Sequence, residues 1–391
     1  MQSSASGALA PLYLAVFVAV LGFSLIAPFF PHYAMDLGAS YSLLGIIVSV
    51  YGAVQLVSQI PVGRLSDRTG RKKILLFGLV TFSTLPLLYI YAKSATALIF
   101  IRALGGLGAS AVWPIAMALI IDQADAKSRG AAMGWYNAAF FSALALGPLF
   151  GGVFYDFLGK NAPFYLWALL GTVSLLVVFF LVAEPKKMNV QMSQHKSKER
   201  EPLITAGFGL TFLACSSVVF WAGVVGGFNF TMLPSFAASL GFKATDVGII
   251  YLVYGGSTAI FNIYFGRQAD RGSRKKFIFI GCLAGALSFA FLPMAVSMSA
   301  VTILFGGLGM GLGIASPAAA ALIADTTSSS RRGEVYGVFN TARMSGVVIG
   351  PLIAGFTADL HGIDGVISAF TILASAITIG SLIIHESNHG H

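Results

Sequence analysis

The stretch Gly63-Arg64-Leu65-Ser66-Asp67-Arg68-Thr69-Gly70-Arg71-Lys72-Lys73 returns 203 residues later as Gly266-Arg267-Gln268-Ala269-Asp270-Arg271-Gly272-Ser273-Arg274-Lys275-Lys276. The register holds on both sides without a gap. Downstream, Pro114 falls on Pro317, Asp122 on Asp325, Arg129-Gly130 on Arg332-Gly333, Asn137 on Asn340 and Gly147-Pro148 on Gly350-Pro351. Upstream, Pro31 falls on Pro234, Gly38 on Gly241 and Tyr51-Gly52 on Tyr254-Gly255. The chain is two parallel copies of one unit.

Its composition places those copies in a membrane. Hydrophobic residues make up 57% of the chain and charged residues 10%, and the mean hydropathy is +0.83. A soluble domain carries about 25% charged residues, which this chain lacks the means to supply. Apolar runs of about 20 residues recur, each long enough as a helix to cross a ~30 Å hydrocarbon core. They predict helices over 11–35, 41–62, 74–92, 96–121, 131–155, 163–183, 204–232, 245–265, 277–296, 299–323, 334–357 and 365–384. The expected fold is therefore an all-α membrane protein with twelve transmembrane helices in two pseudo-symmetric six-helix bundles. The bundles span residues 1–183 and 204–391 and are joined by a polar linker over 184–203. A membrane chain with such parallel repeats is expected to be a transporter with a central site between its halves. The first segment is too long for a signal-peptide core and has no basic residue before it, so it is expected to be retained.

Lys and Arg crowd the loops after helices 2, 4, 6, 8 and 10, whereas the opposite loops carry only Lys93, Lys160 and Lys243. Basic loops stay cytoplasmic, which predicts a multi-pass cell-membrane protein with both termini inside. The net charge of +9 is thus a topology signal, and no nucleic-acid partner is expected. Cys215 and Cys282 fall in predicted helices at no metal spacing and read as small core residues. No metal or cofactor is expected, and the chain has no GxxxxGK[ST] phosphate loop. Uphill transport would draw on an ion gradient. A catalytic nucleophile, acid pair or metal cluster at one membrane face is likewise missing from the sequence, so the chain does not read as an enzyme.

At Gly63 to Lys73, between predicted helices 2 and 3, the chain resembles the major facilitator superfamily, whose hallmark loop is G-x-x-x-D-R-x-G-R-K-x. The second copy keeps the Asp and the basic residues but has Ser273 for the second Gly. The resemblance extends over essentially the whole chain. It implies a central cavity lined by helices 1, 4, 7 and 10 and opened alternately to each side. In the family pattern Asp67 also faces the N-terminus of helix 11, here Arg332-Gly333-Glu334. The loop's chemistry can also be argued from its residues. Gly63 would let helix 2 approach a neighbour closely, and Gly70 suits a tight turn at positive φ. Asp67, among Arg64, Arg68 and Arg71, is expected to be ionised and paired. Asp122, at the cytoplasmic end of helix 4, is placed to join it through Arg71. These residues form a candidate gating loop, with Asp270, Arg271, Arg274 and Asp325 as its pseudo-symmetric partner; simple topology anchoring is the plainer alternative.

Three further segments resemble the twelve-helix drug:proton antiporter branch of that superfamily. They are Gly22-x5-Pro28-x2-Pro31 in helix 1, Arg102-x2-Gly105-Gly106-x-Gly108 in helix 4, and Gly134-x8-Ala143-x3-Gly147-Pro148-x2-Gly151-Gly152 in helix 5. Helix 11 carries its own version of the last, including Gly350 and Pro351. That motif therefore also fits a shared need of helices 5 and 11 to bend at Pro and pack closely across the interface between halves.

Where the repeat breaks, substrate chemistry is expected. Arg102 stands opposite Phe305, Arg343 opposite Phe140, and His32 opposite Ser235. Charged residues inside a bilayer are costly and usually face a cavity or a partner, yet every Asp and Glu falls in a loop or at a predicted helix end. The candidate substrate and proton pathway is His32, Arg102, Trp113, Asn137, Asn229, Asn340 and Arg343. These features predict a proton-coupled secondary transporter, monomeric, exporting small amphiphilic or anionic compounds. The alternatives are a proton-coupled importer of an organic anion or other nutrient, and a non-transporting membrane sensor or lipid-handling enzyme. The partners expected are a small-molecule substrate, protons and the lipid bilayer.

Overall fold

The computed structural model describes residues 3–125, 128–184, 209–269, 273–325, 327 and 331–385. Most of the linker expected over 184–203, together with Asp270 and Arg271, lies outside them. The described residues form thirteen α-helices with two short 3₁₀ turns: α1 Ser3–Ser24, α2 Phe30–Asp36, α3 Tyr41–Thr69, α4 Arg71–Ile90, α5 Ala95–Gln123, α6 Arg129–Leu158, α7 Ala162–Leu181, α8 Gly209–Thr231, α9 Leu233–Ser239, α10 Ala244–Ala269, α11 Arg274–Phe291, α12 Met298–Asp325 and α13 Arg332–Gly380.

Ten of these helices are long and apolar enough to cross a bilayer. α13 is two of the expected spans run together across Gly362, which has φ 70° and ψ −176°. The apolar Leu9–Ser24 part of α1 supplies the remaining span. The twelve expected crossings are thus accounted for, but two of them are not single helices. The first is interrupted over 25–29, between α1 and α2, and the seventh is interrupted at Met232, between α8 and α9. Prolines explain both breaks. Pro28, Pro31 and Pro234 have no N–H to give, so each removes one bond of the i→i−4 ladder at these points, although elsewhere, as at Pro148, a helix continues through a proline.

The repeat is written into the backbone as well as the sequence. The starts of α2, α3, α4, α5 and α6 recur at the same 203-residue offset as the starts of α9, α10, α11, α12 and α13. Positive-φ glycines recur too: Gly38 at 89° with Gly241 at 79°, and Gly159 at 93° with Gly362 at 70°. So do the closest helix contacts. A methyl group on Gly106 would overlap the Tyr51 carbonyl oxygen, and one on Gly309 would overlap that of Tyr254. Gly78 lies against the Gly108 carbonyl as Gly281 lies against that of Gly311.

Two compact units result, one of residues 1–187 with 229–252 and the other of 188–228 with 253–391. In the first, α3 packs on α5, α4 on α5 and α7, and α1 on α6 and α7. Its core includes Phe82, Leu79, Val112 and Leu119 toward one end, and Phe29, Phe30, Tyr89, Phe164 and Trp167 toward the other. In the second, α11 packs on α12 and α13, and Trp221, Phe228, Phe289 and Phe370 form a buried aromatic cluster with ring centroids 5.0–6.0 Å apart.

Candidate functional site

The loop between α3 and α4 turns on Gly70, at φ 113°, a conformation that L side chains rarely adopt. Arg71, the first residue of α4, reaches two carboxylates: Asp122 Oδ2 at 3.0 Å and Asp67 Oδ1 at 3.4 Å. Asp67 is 64% exposed and Asp122 35%, so water screens the first pair more than the second. In the second copy Arg274 pairs with Asp325 and also donates to the Ala321 carbonyl at 3.2 Å. The corresponding turn position, Ser273, has φ −68°, and its Oγ accepts from Lys276 N. A serine replaces the glycine because that backbone needs no positive φ. The other expected latch members, Asp270 and Arg271, are outside the described residues, and Arg68 is exposed.

Among the described residues, no atom outside the helix itself comes within 4 Å of where a Cβ on Gly63 would sit. The tight approach of α3 is made further along, where Gly105 and Gly106 of α5 meet Tyr51. Sequence reasoning missed Glu184. Its carboxylate accepts from the backbone N–H of Lys72 at 3.1 Å and lies against Gly70, while Lys72 Nζ donates to the Phe179 carbonyl at 2.9 Å. An acid at the N-terminus of α4 is well placed to meet the helix dipole. No local signal announces it, because Glu184 stands 112 residues from its partner.

Arg102, on α5, is 2% exposed. Its guanidinium carbon lies 4.0 Å from the centre of the Phe30 ring, 4.6 Å from Phe230 and 5.7 Å from Tyr51. Nε and Nη2 have no hydrogen-bond partner among the described residues. Arg102 is thus a buried cation faced by aromatic rings and paired with no described carboxylate, not an arginine whose donors all end on helix carbonyls. Phe30 and Phe230 are themselves 5.7 Å apart; their role was not legible from two positions 200 residues apart in a chain with 32 Phe.

Arg343 has a different setting. It is exposed, its Nη2 is 3.4 Å from Asn340 Oδ1, and its backbone carbonyl sits where a methyl on Gly223 would go. Asn137 is exposed like its repeat partner Asn340. Asn229 is 3% exposed, with Oδ1 unpartnered among the described residues and its carbonyl accepting from Tyr251 Oη at 2.6 Å. His32 is half-buried on α2, one turn before Asp36. Trp113 packs edge-on against Phe82 at 5.2 Å and Phe140 at 5.7 Å. The structure therefore brings together Arg71, Asp67 and Asp122, and Arg343 with Asn340. It surrounds Arg102 with the rings of Phe30, Phe230 and Tyr51.

The glycines of the helix-5 motif pack mainly within their own copy. Methyl groups on Gly147 and Gly151 would overlap Ser24 and the Leu25 carbonyl of the first span, while one on Gly152 would meet the Ala244 carbonyl. Correspondingly, Gly350 lies against Val224, and Pro351 against Gly227. α6 is one helix through Pro148, and Gly147 and Gly151 admit the first span. Beside Gly152, Asp156 accepts from both the N–H and Oγ1 of Thr245, at 2.8 and 2.7 Å.

Two tandem copies, the loop with its bridging arginine, and paired broken helices all point one way, and the family model for the Major Facilitator Superfamily matches residues 12–233 and 215–390. The chain belongs to the Major Facilitator Superfamily. It is a membrane transporter, not an enzyme. Among its relatives, the uncharacterized MFS-type transporter MJ1560 of Methanocaldococcus jannaschii is 26% identical over 381 residues, covering 94% of this chain and 95% of the relative. The quinolone resistance protein NorA of Staphylococcus aureus (strain MRSA252) is 26% identical over 376 residues, covering 95% and 94%. The superfamily fold is matched by a bacterial homologue of the human lysosomal transporter Spinster in an inward-facing, occupied conformation, at a TM-score of 0.80, 15% identity and coverage of 97% and 96%. The human organic anion transporter MFSD10 matches at a TM-score of 0.67, 16% identity and coverage of 97% and 99%.

Proposed function

We propose that this superfamily member is a proton-coupled antiporter that exports small amphiphilic or anionic compounds by alternating access, with both termini in the cytoplasm. The observation that carries the substrate class is the pair Arg102 and Arg343. Both are cations within helices of membrane-spanning length, and neither forms an ion pair with a described carboxylate. Uncompensated positive charge, wherever water is restricted around it, attracts anions and repels cations. Exposed Arg343 supplies the accessible grip, because a guanidinium can hold a carboxylate or phosphate with two parallel hydrogen bonds. Export and proton coupling draw support from the motifs of helices 1, 4 and 5 and from the similarity to NorA, a quinolone resistance protein.

The test is flux in proteoliposomes carrying an imposed pH gradient. Labelled organic anions and lipophilic cations are compared side by side, with the protein oriented both ways. Gradient-driven movement of anions against the proton flow supports antiport. Co-directional movement would instead establish the import reading, and robust flux of permanent cations would remove the anionic substrate class.

A further inference from the structure

Arg102 presents an unusual inventory. A guanidinium stays protonated, and burying it without a counter-charge or hydrogen bonds is costly. Here it is 2% exposed and faces Phe30, Phe230 and Tyr51. Ring quadrupoles offset part of that cost, but they attract the charge without accepting its N–H groups in the plane of the guanidinium. The two nitrogens left unpartnered are Nε and Nη2, and these two share one edge of the planar group. Their N–H bonds run parallel, at the spacing of the two oxygens of a carboxylate. The unused donors therefore form one intact side-on fork.

The rings facing that guanidinium stand at the two helix breaks. Phe30 is the first residue of α2, immediately after the non-helical 25–29 turn, and Phe230 lies in the last turn of α8, just before Met232. Broken helices are where transporters build ligand sites, because backbone there can shift without unwinding a whole span.

We propose that the Nε–Nη2 edge of Arg102 is a carboxylate-binding site, walled by Phe30 and Phe230 and entered when the Phe230 ring swings away. Its ligand class is a planar aromatic carboxylate: the oxygens take the fork, and the ring takes the place of the displaced phenylalanine. The proposal rests on the anionic-substrate reading above and adds Arg102 as a further carboxylate contact beside the exposed Arg343.

The experiment titrates the purified full-length protein with 2-naphthoate, 2-naphthalenemethanol and 2-naphthylmethylammonium by isothermal calorimetry and follows association by stopped-flow naphthalene fluorescence. Wild type is expected to bind the carboxylate at least about tenfold more tightly than the alcohol, the scale of one charge-assisted hydrogen bond. Arg102→Lys, which keeps the charge and loses the fork, should erase most of that preference while leaving the alcohol's affinity unchanged. Phe230→Ala should keep the preference and speed association several-fold; this variant also serves if Arg102→Lys does not fold. A wild-type protein that does not prefer the carboxylate, a preference that survives Arg102→Lys, or an association rate unmoved by Phe230→Ala overturns the site. Arg343→Lys is run in parallel to separate the two readings. Loss of carboxylate preference in that variant alone leaves the anionic substrate class standing and removes the site at Arg102. Tightest binding of the ammonium compound by wild type removes both.

Discussion

Arg71 Nη1 lies 3.0 Å from Asp122 Oδ2, so the first residue of α4 is tied to the last turn of α5 by a charge-assisted contact that recurs, 203 residues later, between Arg274 and Asp325. Asp67 is the more distant and more exposed member of the first cluster. Asp122→Asn should therefore loosen the loop more than Asp67→Asn does, with a difference of at most about 1 kcal/mol, as befits partly exposed pairs. Accessibility labelling of cysteines placed next to Gly70 would read this directly. Equal labelling in both variants would return the loop to a plain topology anchor.

The glycines make opposite predictions at two sites of α3 and its partner helix. Gly106→Ala pushes a methyl into the Tyr51 carbonyl and should cost about 1–3 kcal/mol through forced separation of α3 and α5. Gly63→Ala meets open space and should stay within about 0.5 kcal/mol of wild type. Thermal unfolding of the two purified variants distinguishes them, and comparable melting points would contradict the packing described.

Gly362 holds the junction inside α13 at φ 70°. Gly362→Ala forces a side chain into that region and should destabilise by about 1–3 kcal/mol. Gly337, in the same helix with no neighbour within 4 Å, is the control. Its replacement by Ala should be neutral or slightly stabilising, by up to about 1 kcal/mol from helix propensity.

Arg343→Lys should reduce transport of an anionic substrate about tenfold or more by removing the two-pronged grip. Since the side chain is exposed and its polar end donates to Asn340, expression and membrane insertion should be unchanged. Initial-rate flux measured at matched protein density decides between lost function and lost fold.

His32 is half-buried in α2, next to the first helix break, and histidine is the side chain whose ordinary pKa lies near neutrality. Its replacement by Gln should abolish pH-driven accumulation while leaving downhill exchange of substrate intact. Unimpaired accumulation would assign the proton to Asp36, Asp122 or the substrate itself.

Much of the architecture was legible before any coordinates. Each position of the repeat constrains its partner, so the offset that aligned Pro31 with Pro234 also located the helix starts and the turn glycines. The Arg71–Asp122 pairing was legible for the same reason: a fixed charge at a helix start needs a counter-charge at the same membrane edge. The helix breaks were missed because hydropathy reads side chains and is blind to a missing N–H; Pro28, Pro31 and Pro234 were visible, but their effect on the ladder was not weighed. Glu184 and Phe230 left no local trace, since their partners lie on distant parts of the chain.

The sequence by itself determined that this is a twelve-span, two-copy membrane transporter, because hydropathy, charge asymmetry and repeat register are properties of residue order summed over long windows. Only the tertiary structure decided which cations are neutralised and which are not. Arg71 has Asp67 four residues before it, and its pairing was legible, whereas nothing in the neighbours of Arg102 along the chain says that it meets aromatic rings and no described carboxylate. The surroundings of Arg102 arise from three-dimensional packing: Phe230, which faces it, lies 128 positions away in the chain.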